Sequence, residues 1–295
     1  MPQPGPVFIC FGETLWDVLP QGRLPGGAPM NVAIHLRYQG FAPLVVSRLG
    51  DDPPGHELRE FLQRKGLSDA CLQTDPVHPT GIVQANVTHK TEVTYDIVAG
   101  AAWDYIAPDE ATARRVGESD VLVYGSLAAR TAASRDTLLG YLQLARNKAF
   151  DVNLRPPHYT PERTLQLLAR ATTVKMNHHE LAEITGWLGG PGDLRNGMEF
   201  IRDRYGLATV VVTRAENGAA VLGGEEYVEH PGFRVSVQDT IGSGDAFLAT
   251  FLAGHLRGEA PALTLERACR VGAYVATQPG ATPPYDAGAV DTLLG

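Results

Sequence analysis

Asp239-Thr240-Ile241-Gly242-Ser243-Gly244-Asp245-Ala246-Phe247 sets a carboxylate directly after a paired-glycine turn at the start of an apolar helix. Downstream, Phe247, Leu248, Phe251, Leu252 and Leu256 share one helical face, so the helix begins at the motif. A helix N-terminus carries N–H groups without intrahelical partners and about half a positive charge, and Gly242 and Gly244 let that backbone approach an anion closely. Asp245 falls in the first turn, where its ionised form is favoured, and beside a bound phosphate it can take the proton of an attacking hydroxyl. The same residues also read as an ordinary helix start, with Ser243 or Thr240 as cap and Asp245 as a dipole partner.

A second glycine pair, Gly26-Gly27-Ala28-Pro29-Met30-Asn31-Val32-Ala33, follows a strand-like N-terminus and opens a helix-like run through Tyr38. Here backbone N–H groups can meet a polar ligand, and the Asn31 amide both donates to and accepts from a sugar hydroxyl. Asp17, placed at the end of a first strand region Val7–Asp17, offers a carboxylate for two vicinal hydroxyls. A plain turn at Gly26-Gly27 and a capping Asn31 use the same residues.

The 295 residues, 44% hydrophobic, can bury a substantial core in one large or two ordinary domains. A net charge of −8 argues against a nucleic-acid or anionic-membrane partner, because either favours a basic face. Cys10, Cys71 and Cys269 are far apart and lack metal-ligand spacing, which predicts reduced core thiols in a cytoplasmic protein. No run of about 18 apolar residues occurs, and no basic-then-apolar leader precedes Arg23, so neither membrane insertion nor secretion is expected.

Strand-like Val7–Phe11 and Leu44–Leu49 flank the Gly26–Tyr38 helix, and a helix over Asp52–Gly66 follows. Alternation of apolar and polar residues over Thr80–Ile97 predicts a hairpin with one wet face, to which Thr14–Leu24 adds strands. From Asp109 the chain alternates again: strands at Val121–Tyr124, Ala149–Asn153, Thr172–Lys175 and Thr209–Thr213, helices at Ser134–Asn147, Pro161–Arg170, His178–Thr185 and Asp193–Tyr205. Repeated units of this kind imply a mostly parallel sheet covered on both faces. Ala219–Leu222 and Tyr227–Val228 form a short antiparallel excursion before helices at Gly244–Arg257 and Thr264–Gln278.

Seven blocks in order carry a resemblance: Gly12-Glu13 with Asp17, Gly-Gly-Ala-Pro-x-Asn31, Leu49-Gly50-Asp51-Asp52-Pro53, Pro79-Thr80-Gly81, Asp151-x-Asn153-Leu154-Arg155, Asn177-x-x-Glu180, and Asp239 to Asp245. Over nearly its whole length the chain resembles ribokinase-like (PfkB) carbohydrate kinases, and among them fructokinases. The resemblance implies an α/β fold, a three-layer α/β/α sandwich with a mostly parallel central sheet. It implies one kinase domain over 1–295, with a small β-sheet lid from insertions at about 13–26 and 80–105. Lids of relatives often pair, so a homodimer is expected.

The implied reaction is ATP-dependent transfer of the γ-phosphate to a sugar hydroxyl, with D-fructose going to fructose 6-phosphate. A 2-keto-3-deoxygluconate kinase or a ribokinase-type enzyme is the alternative, and a non-catalytic sugar- or nucleotide-binding protein is the competing class. By resemblance Asp245 is the base, and Gly242, Ser243 and Gly244 form the backbone anion hole; Ser243 stands where many relatives have Ala. Asp17, Gly26, Gly27 and Asn31 bind the sugar with Tyr95 and Trp103 of the lid, and with Asn153 and Arg155 after a strand end, where open α/β sheets bind ligands. Arg155 reads equally as a phosphate fork or as part of a structural ion pair. Thr213, Gly218, Gly242 and Gly280 fall to the nucleotide; Thr213-Arg214-Ala215 departs from the Thr-x-Gly of many relatives, which moves the expected contact to Gly218. Asn177 and Glu180, from spacing alone a capping box, are implied ligands of Mg²⁺ through water. Asp239, with nearby carbonyls, is the implied ligand of K⁺.

Overall fold

The computed structural model describes residues 7–19, 22–89 and 92–294, with side chains described except at 19, 85–89, 92–95, 287 and 292–294. In chain order its strands are β1 (Phe8–Phe11), β2 (Leu15–Leu19), β3 (Gly22–Gly26), β4 (Leu44–Gly50), β5 (Leu72–Asp75), β6 (Gly81–His89), β7 (Glu92–Ile97), β8 (Val121–Gly125), β9 (Asn147–Asp151), β10 (Thr173–Asn177), β11 (Thr209–Thr213), β12 (Ala219–Gly223) and β13 (Glu226–His230). Its helices are α1 (Ala28–Tyr38), α2 (Pro53–Arg64), α3 (Glu110–Glu118), α4 (Ala132–Leu144), α5 (Pro161–Leu168), α6 (His178–Trp187), α7 (Leu194–Tyr205), α8 (Ser243–Leu256), α9 (Pro261–Ala276) and α10 (Ala287–Leu294).

Nine strands join in the order β13-β12-β11-β10-β9-β8-β1-β4-β5. Pairing is parallel from β11 to β5 and antiparallel only at the β11-β12-β13 edge. The Val210-Val211-Val212 run of β11 is buried throughout, as parallel strands covered on both faces require. Because successive side chains alternate, Val210 and Val212 pack with Phe11, Tyr124, Phe150, Met176 and Leu181, whereas Val211 packs with Cys10, Val45, Val123, Phe247 and Phe251. The sheet therefore separates two apolar layers. Side-chain caps fix where the helices start: Asp52 accepts from Gly55 N–H, Asp109 from Thr112, Thr160 from Arg163 and Asp193 from Asn196.

Four strands make a second sheet in the order β3-β2-β6-β7, with β2 and β6 parallel and the flanking pairs antiparallel. Its junction with the main sheet is tied by one cap. The Asp52 carboxylate accepts the Thr80 N–H at 2.8 Å and the Thr80 hydroxyl at 2.5 Å, while Thr80 Oγ1 accepts the Gly50 N–H at 3.0 Å. Two of the sequence blocks, around Gly50-Asp51-Asp52 and Pro79-Thr80-Gly81, are thus one structural clip.

Three expectations shift. The strand region Val7–Asp17 breaks at Gly12 into β1 and β2, which belong to different sheets, so Asp17 lies within β2 and not at a strand end. The helix expected to reach Asn147 stops at Leu144, because Asn147 pairs with Val121 at the start of β9. Helix α8 was expected to show one apolar face, yet every residue from Asp245 to Gly254 is buried. It packs against both α1 and α9, which leaves it no wet face.

Candidate active site

The residues expected to do chemistry gather where β9 and β10 end and α8 begins. Residues Lys175 and Asp151 are register partners on β10 and β9, and Asn177 and Thr213 are partners at the ends of β10 and β11. Parallel strands that finish together bring these positions to one edge of the sheet, the usual ligand side of open α/β folds.

Asp245 sits in the first turn of α8 with only 8% of its surface exposed. The Asn31 Nδ2–H, reaching across from α1, donates to Asp245 Oδ2 at 2.8 Å. Burial pushes the Asp245 carboxyl up to about 6; the nearby Asp151 adds to the rise, while the Asn31 hydrogen bond, Lys175 and Arg155 oppose it. A carboxyl of this kind is poised to accept a proton near neutral pH. Asn31 Oδ1 is buried without a partner, so the same amide still has an acceptor to satisfy.

The turn before α1 is shaped by the second sheet. A Cβ at Gly26 would stand 2.2 Å from Asp17 Oδ2, and one at Gly27, with φ near 115°, would stand 2.3 Å from the Glu13 carbonyl. The two glycines therefore let the Asp17 carboxylate and the β1–β2 connection close onto the loop. Glu13 Oε1 accepts the Ala28 N–H at 3.2 Å, and its Oε2 is buried without a partner. Burial pushes Glu13 up to about 7 and Asp17 up to about 6, and the charge of Arg155 pulls both back. Arg155 is exposed, with its Nη1 3.3 Å from the Leu154 carbonyl.

At the start of α8, Gly242 takes φ near 77°, and a Cβ there would strike the Ala281 carbonyl at 2.2 Å. Asp239 joins this turn to the Gly280 loop: Oδ1 accepts the Ile241 N–H at 2.9 Å and Oδ2 the Gly280 N–H at 3.3 Å. The Ser243 hydroxyl donates to the Gly272 carbonyl at 2.9 Å, so it is anchored on α9 and leaves the turn open. Asn177 and Glu180 form a complete capping box, and Glu180 also accepts the Leu154 N–H at 2.8 Å. Burial raises the Glu180 carboxyl against the opposing charge of Lys175. Asn153, at φ near 38°, turns the chain after β9.

Some expected residues lie apart. Trp103 is fully buried with Leu15, Val83, Ile97 and Leu127, stacked 4.0 Å from the Arg130 guanidinium, so it is core beneath the second sheet and not an open face for a ligand. Tyr95 is on β7, but its side chain lies outside the described residues. Gly218, at φ near 78°, packs against the His230 carbonyl, where a Cβ would approach to 2.0 Å; the β-edge itself accounts for this glycine. Ala215 adopts φ near 50°, a left-handed backbone filled by glycine in the Thr-x-Gly pattern.

Sequence reasoning missed four residues. Glu13 and Asp151 enter only as members of motif blocks, and Lys175 only as the end of an expected strand. For Lys175 and Asp151 the signal was a charged residue inside an otherwise apolar parallel strand, which has to be paired when buried. His35 is the fourth: it is wholly buried on α1, its Nε2 is 3.0 Å from the Ala281 carbonyl and its Nδ1 3.1 Å from the Tyr285 hydroxyl. Helix α1 thus reaches both Asp245 and the loop behind Gly242.

A mostly parallel sheet between helical layers, with a smaller sheet beside the glycine-opened start of α8, defines a ribokinase-like α/β fold. The pattern of the pfkB family carbohydrate kinases matches residues 10–287. The chain belongs to this family of carbohydrate kinases, transferases with an alcohol group as acceptor. Within it the similarity is to fructokinases. The chain is 30% identical over 302 residues to a fructokinase of Klebsiella pneumoniae, covering 94% of this chain and 95% of that one. Fructokinase from Xylella fastidiosa with bound ATP has the same fold, with a TM-score of 0.86 at 24% identity over 97% of both chains. Fructokinase from Vibrio cholerae in its fructose-, ADP- and calcium-bound form gives 0.81 at 23% identity, covering 98% of this chain and 99% of that one. Among the described residues no helix is long and apolar enough to cross a membrane.

Proposed function

We propose that the protein is an ATP-dependent sugar kinase that phosphorylates D-fructose to fructose 6-phosphate. The observation that carries the reading is the buried Asp245 carboxyl, held by Asn31 at the N-terminus of α8. Phosphoryl transfer asks for an acceptor hydroxyl held in line, a base for its proton, and donors for the charge on the phosphoryl oxygens. Asp245 is the base, and the backbone from Gly242 to Gly244 is the anion hole. Asp17, Gly26, Gly27 and Asn31 hold the sugar hydroxyls, and the unpartnered Asn31 Oδ1 gives one of them an acceptor. Asn153 and Arg155 close the far side.

The triphosphate lies over Gly242 and Gly280, with Thr213 flanking it. The base of the nucleotide fits a groove of about 660 Å³ lined by Arg234 to Gln238, Thr277 and Gln278, which adjoins Asp239 and Gly280 in the chain. Among the described residues no cluster of three acidic, His or Cys side chains could hold a metal alone. Asn177 and Glu180, already holding backbone N–H groups, suit a Mg²⁺ carried by the phosphates and met through water. Asp239 would serve K⁺ with its remaining lone pairs; unchanged activity with potassium replaced by tetramethylammonium removes that cation.

The second sheet is read as the lid of a single kinase domain. Val18 and Leu24 on it are 37% and 40% exposed, which favours pairing of lids in a homodimer; a monomer in sedimentation equilibrium refutes this. A cytoplasmic location fits the three unpaired, buried cysteines. Exposed Arg155, whose charge reaches Asp17 and Asp245, favours 2-keto-3-deoxygluconate as the second reading, since it can take a sugar carboxylate. A coupled ADP-release assay over fructose, 2-keto-3-deoxygluconate, ribose and adenosine, beside Asp245→Asn, ranks the acceptors. Equal background for both proteins on every acceptor means a binding protein and not a kinase.

A further inference from the structure

Lys175 is a buried ammonium that the reading above leaves without a task. It reaches out from β10, and its Nζ lies 3.0 and 3.3 Å from the two oxygens of Asp151, itself buried. An ammonium has three N–H donors and accepts nothing. Two are used on Asp151, and the third has no acceptor among the described residues. A Cβ on Gly244 would stand 3.2 Å from this same Nζ, so the unused donor lies against the backbone that opens α8.

Resting on the kinase reading, we propose that Lys175 is a catalytic residue whose third N–H donates to a non-bridging oxygen of the phosphoryl group during transfer. In that step the sugar hydroxyl oxygen forms the new bond to the γ-phosphorus. The bond to the β,γ-bridging oxygen breaks, its electron pair leaves on ADP, and the hydroxyl proton passes to Asp245. Lys175 offsets charge on the moving group, and Asp151 fixes the ammonium without taking part in bond making. The absence of a side chain at Gly244 keeps the space between Nζ and the incoming phosphate open.

If Lys175 only balances Asp151, removing both charges leaves the rate where removing Asp151 alone leaves it. The test therefore compares Asp151→Asn with Asp151→Asn/Lys175→Met, beside Lys175→Arg and wild type. It measures melting temperature, kcat, KM for ATP and for fructose, and binding of ADP–aluminium fluoride in the presence of sugar. The expected result is a double variant that melts with the single one and keeps both KM values within about threefold. Its kcat falls about 10²–10³-fold, and it loses the tighter binding of ADP–aluminium fluoride over ADP. Lys175→Arg keeps the ion pair but points a planar fork, so kcat falls there too, and this variant answers the question if the Asp151 variants do not fold. A kcat within about threefold of the reference in the double variant, or in Lys175→Arg, overturns the assignment of Lys175 alone. A wild type that releases no ADP with any sugar overturns the kinase reading and this proposal with it.

Discussion

Removing the Asn31 side chain tests whether Asp245 is the proton acceptor. The Asn31 Nδ2–H, 2.8 Å from Asp245 Oδ2, favours the ionised carboxyl, which burial has already pushed up to about 6. A hydrogen bond to a charged group is worth about 1.5–3 kcal/mol, and one pKa unit corresponds to ~1.4 kcal/mol. Asn31→Ala therefore moves the Asp245 titration upward by about 1–2 units, toward the lower figure because water enters the space left. Below this titration the base is protonated and idle, so log kcat/KM rises with pH through it and levels off above. In a coupled ADP-release assay from about pH 5 to about pH 9, the acidic limb of Asn31→Ala should lie at higher pH than that of wild type. Glu13 and Asp17, at about 7 and about 6, titrate in the same region, so the limb belongs to a coupled set; running Glu13→Gln in parallel separates its share. A limb that stays in place, or moves to lower pH, shows that Asp245 is not the group whose ionisation limits the rate.

Glu13 makes a stability prediction of definite sign. Its folded pKa is raised from 4.5 to about 7, so the stability it contributes is present below 4.5 and lost as pH rises through 7, roughly 3 kcal/mol in all. Urea unfolding should show Glu13→Gln gaining on wild type by about that amount between about pH 5 and about pH 8; parallel curves refute it. Gly242→Ala forces a Cβ toward the Ala281 carbonyl at a left-handed backbone, so about 2 kcal/mol or more of stability and most of the activity should go. By contrast Ala215→Gly, relieving a φ near 50°, should be neutral or stabilise by up to about 1 kcal/mol in the same urea unfolding. Arg130→Leu strands the fully buried Asp104, which it grips at 2.6 Å, and should cost about 3–5 kcal/mol; a loss under about 1 kcal/mol shows that the pair is not needed.

Much of the fold is legible in the chain because its signals are local. Valine-rich runs such as Thr209–Thr213 read as buried strands, and the turn glycines at 26, 27, 242 and 244 mark where backbone must come close to something. Asp245 and Asn31 could each be picked out from their place after a glycine pair. The hydrogen bond between them, 214 residues apart in sequence, could not.

What tertiary structure decided is which of several local options each polar residue takes. Asn177 and Glu180 satisfy their capping box in full, and Trp103 goes to the core under the second sheet. Lys175 and Asp151 pair on neighbouring strands and bring a cation to the start of α8 that no motif had announced. The physical reason is that propensity and glycine geometry act over a few residues, whereas burial and the pairing of charges depend on which distant strand becomes the neighbour. Sequence thus determined the elements and the turns that could hold an anion; the packing of α1, α8, β9 and β10 determined which charges meet there.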